Sequence, residues 1–286
     1  MMRLVTAALF CALCGPEDGY EALIDDAARM EKLRLEERRA AHEALDAGDY
    51  DRSVALARHA AQLEGDIAAV QEKARRCLQL LVPKLVGLLD DEEFSVREEA
   101  SGRLRRIGAP ALPGLLRLHP TLTSAECRCR VDALLGGIRV DGEGRVHQWA
   151  IDAAASSEYA PSDWSAKQAV GPPDSAECDS RNAWAAKDAD GGLEWLRLKY
   201  ALPVTMTRIR VHENLTPGGI VAIDVVGPDG VRRRAWEGQD EGASWFEADL
   251  KGAVGSELIL VIDARKHAGW EEVDAVELIG LLAPDK

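Results

Sequence analysis

Residues 192–226 read GLEWLRLKYALPVTMTRIRVHENLTPGGIVAIDVV, and their character alternates along the chain. Trp195, Arg197 and Lys199 alternate with Leu196, Leu198 and Tyr200, and Ile209 and Val211 alternate with Arg208, Arg210 and His212. Ile220–Val226 is β-branched almost throughout. A strand sends successive side chains to opposite faces, whereas a helix would scatter these residues around its circumference. The pattern therefore predicts three half-buried strands, at 194–200, 207–213 and 220–226. Pro203 and Pro217-Gly218-Gly219 are read as the breaks between them.

The strands continue to the carboxyl end. Gly227-Pro228-Asp229-Gly230 has the composition of a hairpin turn, and Val231–Trp236 returns from it. Further strands are predicted around Trp245, Phe246 and Ala248, over Glu257–Asp263 and over Val273–Gly280. Seven or more strands with regular turns predict an antiparallel β-sandwich, or jelly roll, over residues 150–281, followed by a short tail at 282–286. All seven tryptophans lie at or beyond Trp149, which marks a domain boundary. Residues 139–149, with an Asp-Gly and a Gly-Arg step, are expected to form a linker or a short hairpin.

What precedes is helical. Over residues 16–79, Tyr20, Leu23, Ile24 and Ala27 recur at helical spacing, and Val54, Ala57, Ala60 and Ala61 do so after a break at Ala47-Gly48-Asp49-Tyr50. That predicts a helical hairpin whose turn resembles that of a tetratricopeptide unit. Residues 80–138 carry an internal echo. Val82-Pro83 with Leu88-Leu89 match Leu112-Pro113 with Leu115-Leu116, and Arg97, Ala100, Leu104 and Ile107 match Arg128, Val131, Leu135 and Ile138. The offset of about 30 residues suits a helical solenoid, and the segment resembles HEAT-like repeats. The fold class expected is thus multidomain α + β, a helical solenoid segment followed by the sandwich. The exposed face of such repeats either binds a protein partner or supports the next domain.

Residues 1–15 have a positive start at Arg3, an apolar run over Leu4–Leu13 and small residues before Gly15-Pro16, the shape of a secretory signal peptide. Cleavage after Cys14 is expected, with lipid attachment at Cys14 as the rival, and the location is exported. The apolar run is too short to span a bilayer, and no integral span is expected elsewhere. A formal charge of -14 argues against nucleic acid as a partner. Cys77, Cys127, Cys129 and Cys178 remain after the leader. Their spacing is no zinc signature, and four free thiols or one disulfide both fit it.

Several ordered pieces then belong together. They are Ala154-x-Ser156-Ser157, Trp164-Ser165-Ala166-x-Gln168-Ala169-x-Gly171-x-Pro173-Asp174, Ala183-Trp184-Ala185 and Glu194-Trp195-Leu196. They continue with Val211-x-Glu213-Asn214-x-x-Pro217-Gly218 and Gly269-Trp270-x-Glu272-x-Asp274-Ala275-Val276-Glu277-Leu278-x-Gly280. Over residues 150–281 this set resembles the galactose-binding-like jelly rolls of discoidin and factor V/VIII C-type domains. It is most similar to the variant found in pappalysin-type proteins. The resemblance implies a sandwich that binds glycans, proteins or lipid headgroups through loops at one end, without catalysis.

Sugar sites pair an aromatic face with polar groups that reach hydroxyls. Trp164, Trp184, Trp245 and Trp270 are the candidate platforms; each also suits the core. Trp270 follows Lys266-His267-Ala268-Gly269 in a loop, so it and His267 are placed at a ligand. Glu213 and Asn214 end a strand beside Pro217-Gly218 and either reach a ligand or cap the turn. Asp188, Asp190 and Glu194 surround a Gly turn, and a structural calcium is the one cofactor they raise, set against a solvated turn. Gly-x-Ser-x-Gly, His-Glu-x-x-His and phosphate-loop motifs are missing, so no enzyme is expected. The expected function is a non-catalytic exported protein that recognises a carbohydrate or a surface protein. The alternative is an assembly scaffold without a small ligand.

Overall fold

The computed structural model describes residues 16–266 and 268–283. The signal-like segment, Cys14 and His267 lie outside the described residues. Two compact units divide the chain, one up to Val131 and one from Asp132.

The first unit opens with two long helices, α1 (Pro16–Asp46) and α2 (Tyr50–Leu88). Their buried residues are mostly alanine and leucine, among them Leu23, Ala27, Ala41, Ala44, Ala60, Leu63 and Ile67. Alanine at a seam lets two helix axes approach closely, and it has the highest intrinsic helix propensity. The break falls where the composition places it: Gly48 takes φ 75°, and the Asp49 side chain accepts the Arg52 N–H at 3.2 Å. No break occurs at 79/80. α2 runs on through Pro83, because Leu81, Val82, Leu85 and Val86 bury one apolar stripe that outweighs the missing N–H.

Three shorter helices follow: α3 (Phe94–Ile107), α4 (Leu112–Leu118) and α5 (Ala125–Leu135). Leu104, Leu115, Leu116, Cys127 and Val131 share their core with the end of α2. At Gly114 a Cβ would sit 2.9 Å from Val82 Cγ1, so the close approach of α4 to α2 requires glycine. The helical segment is thus present over residues 80–138, from the end of α2 through α5. Among the described residues no cysteine is in a disulfide, and burial pushes the Cys127 thiol up, with the Asp90 charge adding to the effect. Among the described residues no helix is long and apolar enough to cross a membrane.

The second unit is an antiparallel sandwich. Its strands are β1 (Arg139–Val140), β2 (Arg145–Trp149), β3 (Asp152–Ala155), β4 (Trp184–Ala185), β5 (Leu193–Leu215), β6 (Ile220–Val226), β7 (Arg232–Glu237), β8 (Trp245–Asp249), β9 (Val254–Asp263) and β10 (Glu272–Leu282). Residues 139–149 are a hairpin built into the sheet, since β2 pairs with β10 from Arg145 to Trp149. Of the three strands expected over 192–226, the first two are one. β5 continues past Pro203 for 23 residues and changes layer as it goes.

Its first half pairs with β3 and β9, and β9 continues the layer through β6 to β7. Its second half pairs with β10 and β8, in the layer that also holds β2 and β1. Pro203 is exposed in the stretch between Lys199 and Val204, where the pairing with β9 lapses and no ladder needs its N–H. The buried Gln148 side chain covers the gap: it accepts the Leu202 N–H at 3.0 Å and donates to the Leu202 carbonyl at 2.8 Å. Leu196, Leu198, Leu202, Val204, Met206, Ile209 and Val211, all on β5, are buried in the core. The hairpin at Gly227–Gly230 closes as its composition predicts, with Gly230 at φ 71°.

Candidate functional site

At one end of the sandwich the chain gathers aromatic rings from segments far apart in sequence. Tyr159 and Trp164 come from the loop between β3 and β4, and Trp270 comes from the loop between β9 and β10. Tyr159 meets Trp164 edge-to-face at 5.3 Å and meets Trp270 edge-to-face at 5.5 Å. With Leu215 at the end of β5 they line a recess of about 170 Å³. Trp270 is 40% exposed and Tyr159 51%, so their rings stay open to solvent.

Main-chain bonds hold this arrangement. The Trp164 N–H donates to Arg181 O at 3.0 Å, the Ala185 N–H donates to Trp164 O at 3.2 Å, and the Tyr159 N–H donates to Ala185 O at 2.9 Å. β4 in turn pairs with the start of β10, Glu272 opposite Ala185. The ring of Trp164 reaches its place with a backbone φ of 54°, a region in which a bulky residue is strained. Its indole N–H donates to Glu272 Oε1 at 2.9 Å.

Glu272 is the floor of the recess. It is 2% exposed, and its Oε2 accepts the Ser180 N–H at 3.0 Å and the Asn214 amide at 2.7 Å. Burial pushes its carboxyl up, and the Ser180, Asn214 and Trp164 donors pull it back in part. The exposed carboxylate of Asp179 also lines the recess.

The residues read from the sequence are divided by this geometry. Trp164 and Trp270, expected at a ligand, come together. Trp184 is a core residue at 1% exposure, its N–H donating to Ser157 O at 3.0 Å. Trp245 lies elsewhere, against His212 and under the Arg210 guanidinium, 4.5 Å from its ring. Asn214 is buried beneath the recess, where it ties Cys178 O to Glu272 instead of capping its own turn. Glu213 is a correction. Register shifts between β5 and β10 leave residues 211–214 buried in succession, and the Glu213 carboxyl turns away from the recess with no exposed surface. Tyr159, Asp179 and Glu272 were not singled out as site residues; only the Trp270-x-Glu272 spacing carried any signal of them.

Glu213 instead joins Asp240 and Glu271, from the loops between β7 and β8 and between β9 and β10, in a buried cluster. Gly218 donates its N–H to Glu213 Oε1 at 3.3 Å, and a Cβ on Gly219 would collide with Glu271 Oε2. Glu213 Oε2, Asp240 Oδ2 and Glu271 Oε1 are buried without a donor. Burial and then the charge of Glu271 push the Glu213 carboxyl up to about 11, and burial pushes Glu271 up to about 7. The hydrogen bond between Glu213 and Glu271 favours the protonated form of Glu213 and the ionised form of Glu271.

Among the described residues no group of three or more His, Cys, Asp or Glu side chains is arranged to hold a metal ion. Asp188, Asp190 and Glu194, raised as calcium ligands, do not form such a group, and Glu194 accepts the Ser156 hydroxyl. A second concavity, of about 300 Å³, lies on the outer face of β2, β10, β5 and β8. Its charges are already paired, Arg210 with Glu247 at 2.9 Å and Arg208 with Asp249 at 3.2 Å, which suits a cross-strand ladder more than a ligand.

Comparison with solved structures returns several carbohydrate-binding modules. One is the family 32 module from C. perfringens NanJ in complex with galactose, at 14% identity and TM-score 0.36, covering 46% of this chain and 98% of that one. Another is chitosan-binding module 1 from the chitosanase/glucanase of Paenibacillus sp. IK-5, at 13% identity and TM-score 0.37, covering 46% and 96%. A pectin-binding module matches at 12% identity and TM-score 0.37, covering 45% and 89%. No curated protein matches the chain. The family described as "Pappalysin-1, SD scarf domain, C-terminal" matches residues 139–231, from β1 to the turn after β6, so the pappalysin-like resemblance read from the residues of the sandwich is met again by a family model in the same half of the chain.

Proposed function

We propose that the β unit binds carbohydrate in the Tyr159–Trp164–Trp270 recess, without catalysing a reaction, in an exported protein whose helical unit supports it or contacts a protein partner. The observation that carries this reading is the recess itself. Tyr159 and Trp164, held by main-chain bonds, and the exposed Trp270 stand over a buried, hydrogen-bonded carboxylate. A pyranose offers an apolar face to such rings and hydroxyls to the polar floor. Tryptophan at this end favours a ligand site over the scaffold reading, which expects a loop end free of it. Export rests on the sequence of residues 1–15 alone.

The test is a glycan array probed with the full chain and with Trp270→Ala. Binding to a defined set of glycans, lost on the substitution, supports the proposal. Binding that Trp270→Ala leaves intact, or no binding to any glycan, overturns it.

A further inference from the structure

We infer that the recess selects a cationic sugar: its ligand is an amino sugar whose amine is free and protonated, held between the aromatic rings and the carboxylates of Glu272 and Asp179. This rests on the carbohydrate reading above and narrows it.

The argument is one of charge balance. Three donors reach Glu272, from the Trp164 indole, the Asn214 amide and the Ser180 main chain, and all are neutral. Among the described residues no lysine or arginine lines the recess. A carboxylate that is 2% exposed and unpaired with a cation carries an uncompensated desolvation cost. Asp179 adds a second carboxylate at the same place, close enough to Glu272 to hinder its ionisation further. A ligand ammonium relieves both groups.

The rings point the same way. The faces of tryptophan and tyrosine carry negative potential and attract a cation within about 6 Å of the ring centre. Trp164, Trp270 and Tyr159 surround the recess, and its volume of about 170 Å³ admits an amine-bearing ring substituent. A uronic acid would bring a third negative charge to this place. An N-acetylated sugar would bring a neutral amide and leave the carboxylates as they are. The net charge of -14 on the chain repels the uronic acid and attracts the amine at longer range.

Intrinsic tryptophan fluorescence of the full chain, titrated at pH 6 and low ionic strength, provides the test. The probes are a glucosamine oligomer, the same oligomer N-acetylated and a uronic acid oligomer of equal length. The inference expects the free amine to bind about ten-fold tighter than the acetylated form or better, and the uronic acid to bind weakest. Asp179→Asn, a change at an exposed position, should remove most of that selectivity. Glu272→Gln should act in the same direction.

Equal binding of the amine and acetylated oligomers, or selectivity that survives Asp179→Asn, overturns the inference and leaves the carbohydrate reading standing if Trp270→Ala abolishes both. Binding that is indifferent to Trp270→Ala, or no binding by any of the three, overturns the inference; the glycan array then decides the broader reading separately. A free choline or tetramethylammonium ion that binds as tightly as the glucosamine oligomer overturns the sugar part of the inference.

Discussion

Glu271 and Glu272 are consecutive, both are buried, and their side chains end in opposite kinds of surroundings. Glu272 accepts three neutral donors beneath the aromatic recess. Glu271 turns the other way, into Glu213 and Asp240, where burial raises its carboxyl and a hydrogen bond with Glu213, then the Gly219 N–H and the more distant Lys266, offset part of that rise. Trp270 and Glu272 thereby face the recess while Glu271, between them, enters the carboxylate cluster.

The cluster makes stability depend on pH. Glu213 and Glu271 have folded-state values raised to about 11 and about 7, above the 4.5 of a free glutamate. Raised carboxyls bind more protons folded than unfolded, so their contribution is complete below about pH 4.5 and is lost as pH rises through the folded values. The β unit is expected to lose stability between pH 5 and 8, by at most about 1.4 kcal/mol per pH unit for each proton. Thermal unfolding followed by tryptophan fluorescence reads this unit alone, because every tryptophan lies at or beyond Trp149. Glu271→Gln should flatten the slope between pH 5 and 7; an unchanged slope would remove the cluster as its cause.

Gly219 is packed where no side chain fits. A Cβ there meets the Glu271 carboxyl, which is itself held by Glu213 and Asp240 and has no open space to retreat to. Gly219→Ala should destabilise the β unit by about 1–3 kcal/mol, the usual cost of overpacking. Gly142→Ala, in the open turn after β1 where no atom stands within 4 Å of the new carbon, should change little. Denaturant midpoints for the two variants make the comparison, and equal midpoints would contradict it.

At the corner of β5, Gln148 does the work of a neighbouring strand for Leu202. Gln148→Leu keeps the volume but leaves a buried N–H and a buried carbonyl without partners. Each such group costs about 1–3 kcal/mol, so a loss of roughly 2–5 kcal/mol is expected. Hydrogen exchange at the Leu202 amide supplies a local reading: it should accelerate in the variant well beyond the change in its β5 neighbours.

Much of this fold is legible in the residues and part of the site is not, for one physical reason. Period two along 193–215 and the Gly227–Gly230 turn are local signals, and the strands lie where they point. Pro203 is also a local signal, but its meaning depends on Gln148, 55 residues earlier, so the sequence alone reads a break where the chain runs on. Glu213 fails the same way. Alternation fixes which face a mid-strand residue takes, but the register shifts against β10 that bury four residues in succession are set by another strand. Trp164 and Trp270 are recognisable as candidates because their residue type is rare and their loops are marked. That Tyr159 stands between them is a tertiary fact with no sequence trace.

Trp164 combines a strained backbone with a hydrogen bond to the floor of the recess, which separates two roles of the same ring. Trp164→Phe retains an aromatic face and deletes the N–H that Glu272 Oε1 accepts at 2.9 Å. Losing one donor to a buried carboxylate should cost about 1–3 kcal/mol of stability and push the Glu272 carboxyl further up, since burial already raises it. Trp164→Gly relieves the φ of 54° but removes the ring. If the indole N–H positions Glu272, the Phe variant loses ligand affinity progressively as pH falls, while the wild type holds it to lower pH. If the ring alone matters, Phe binds like the wild type at every pH and only Gly fails. Fluorescence titrations of Trp164→Phe and Trp164→Gly from pH 5 to 8 distinguish the two, and a pH-independent Phe variant would assign Trp164 to packing alone.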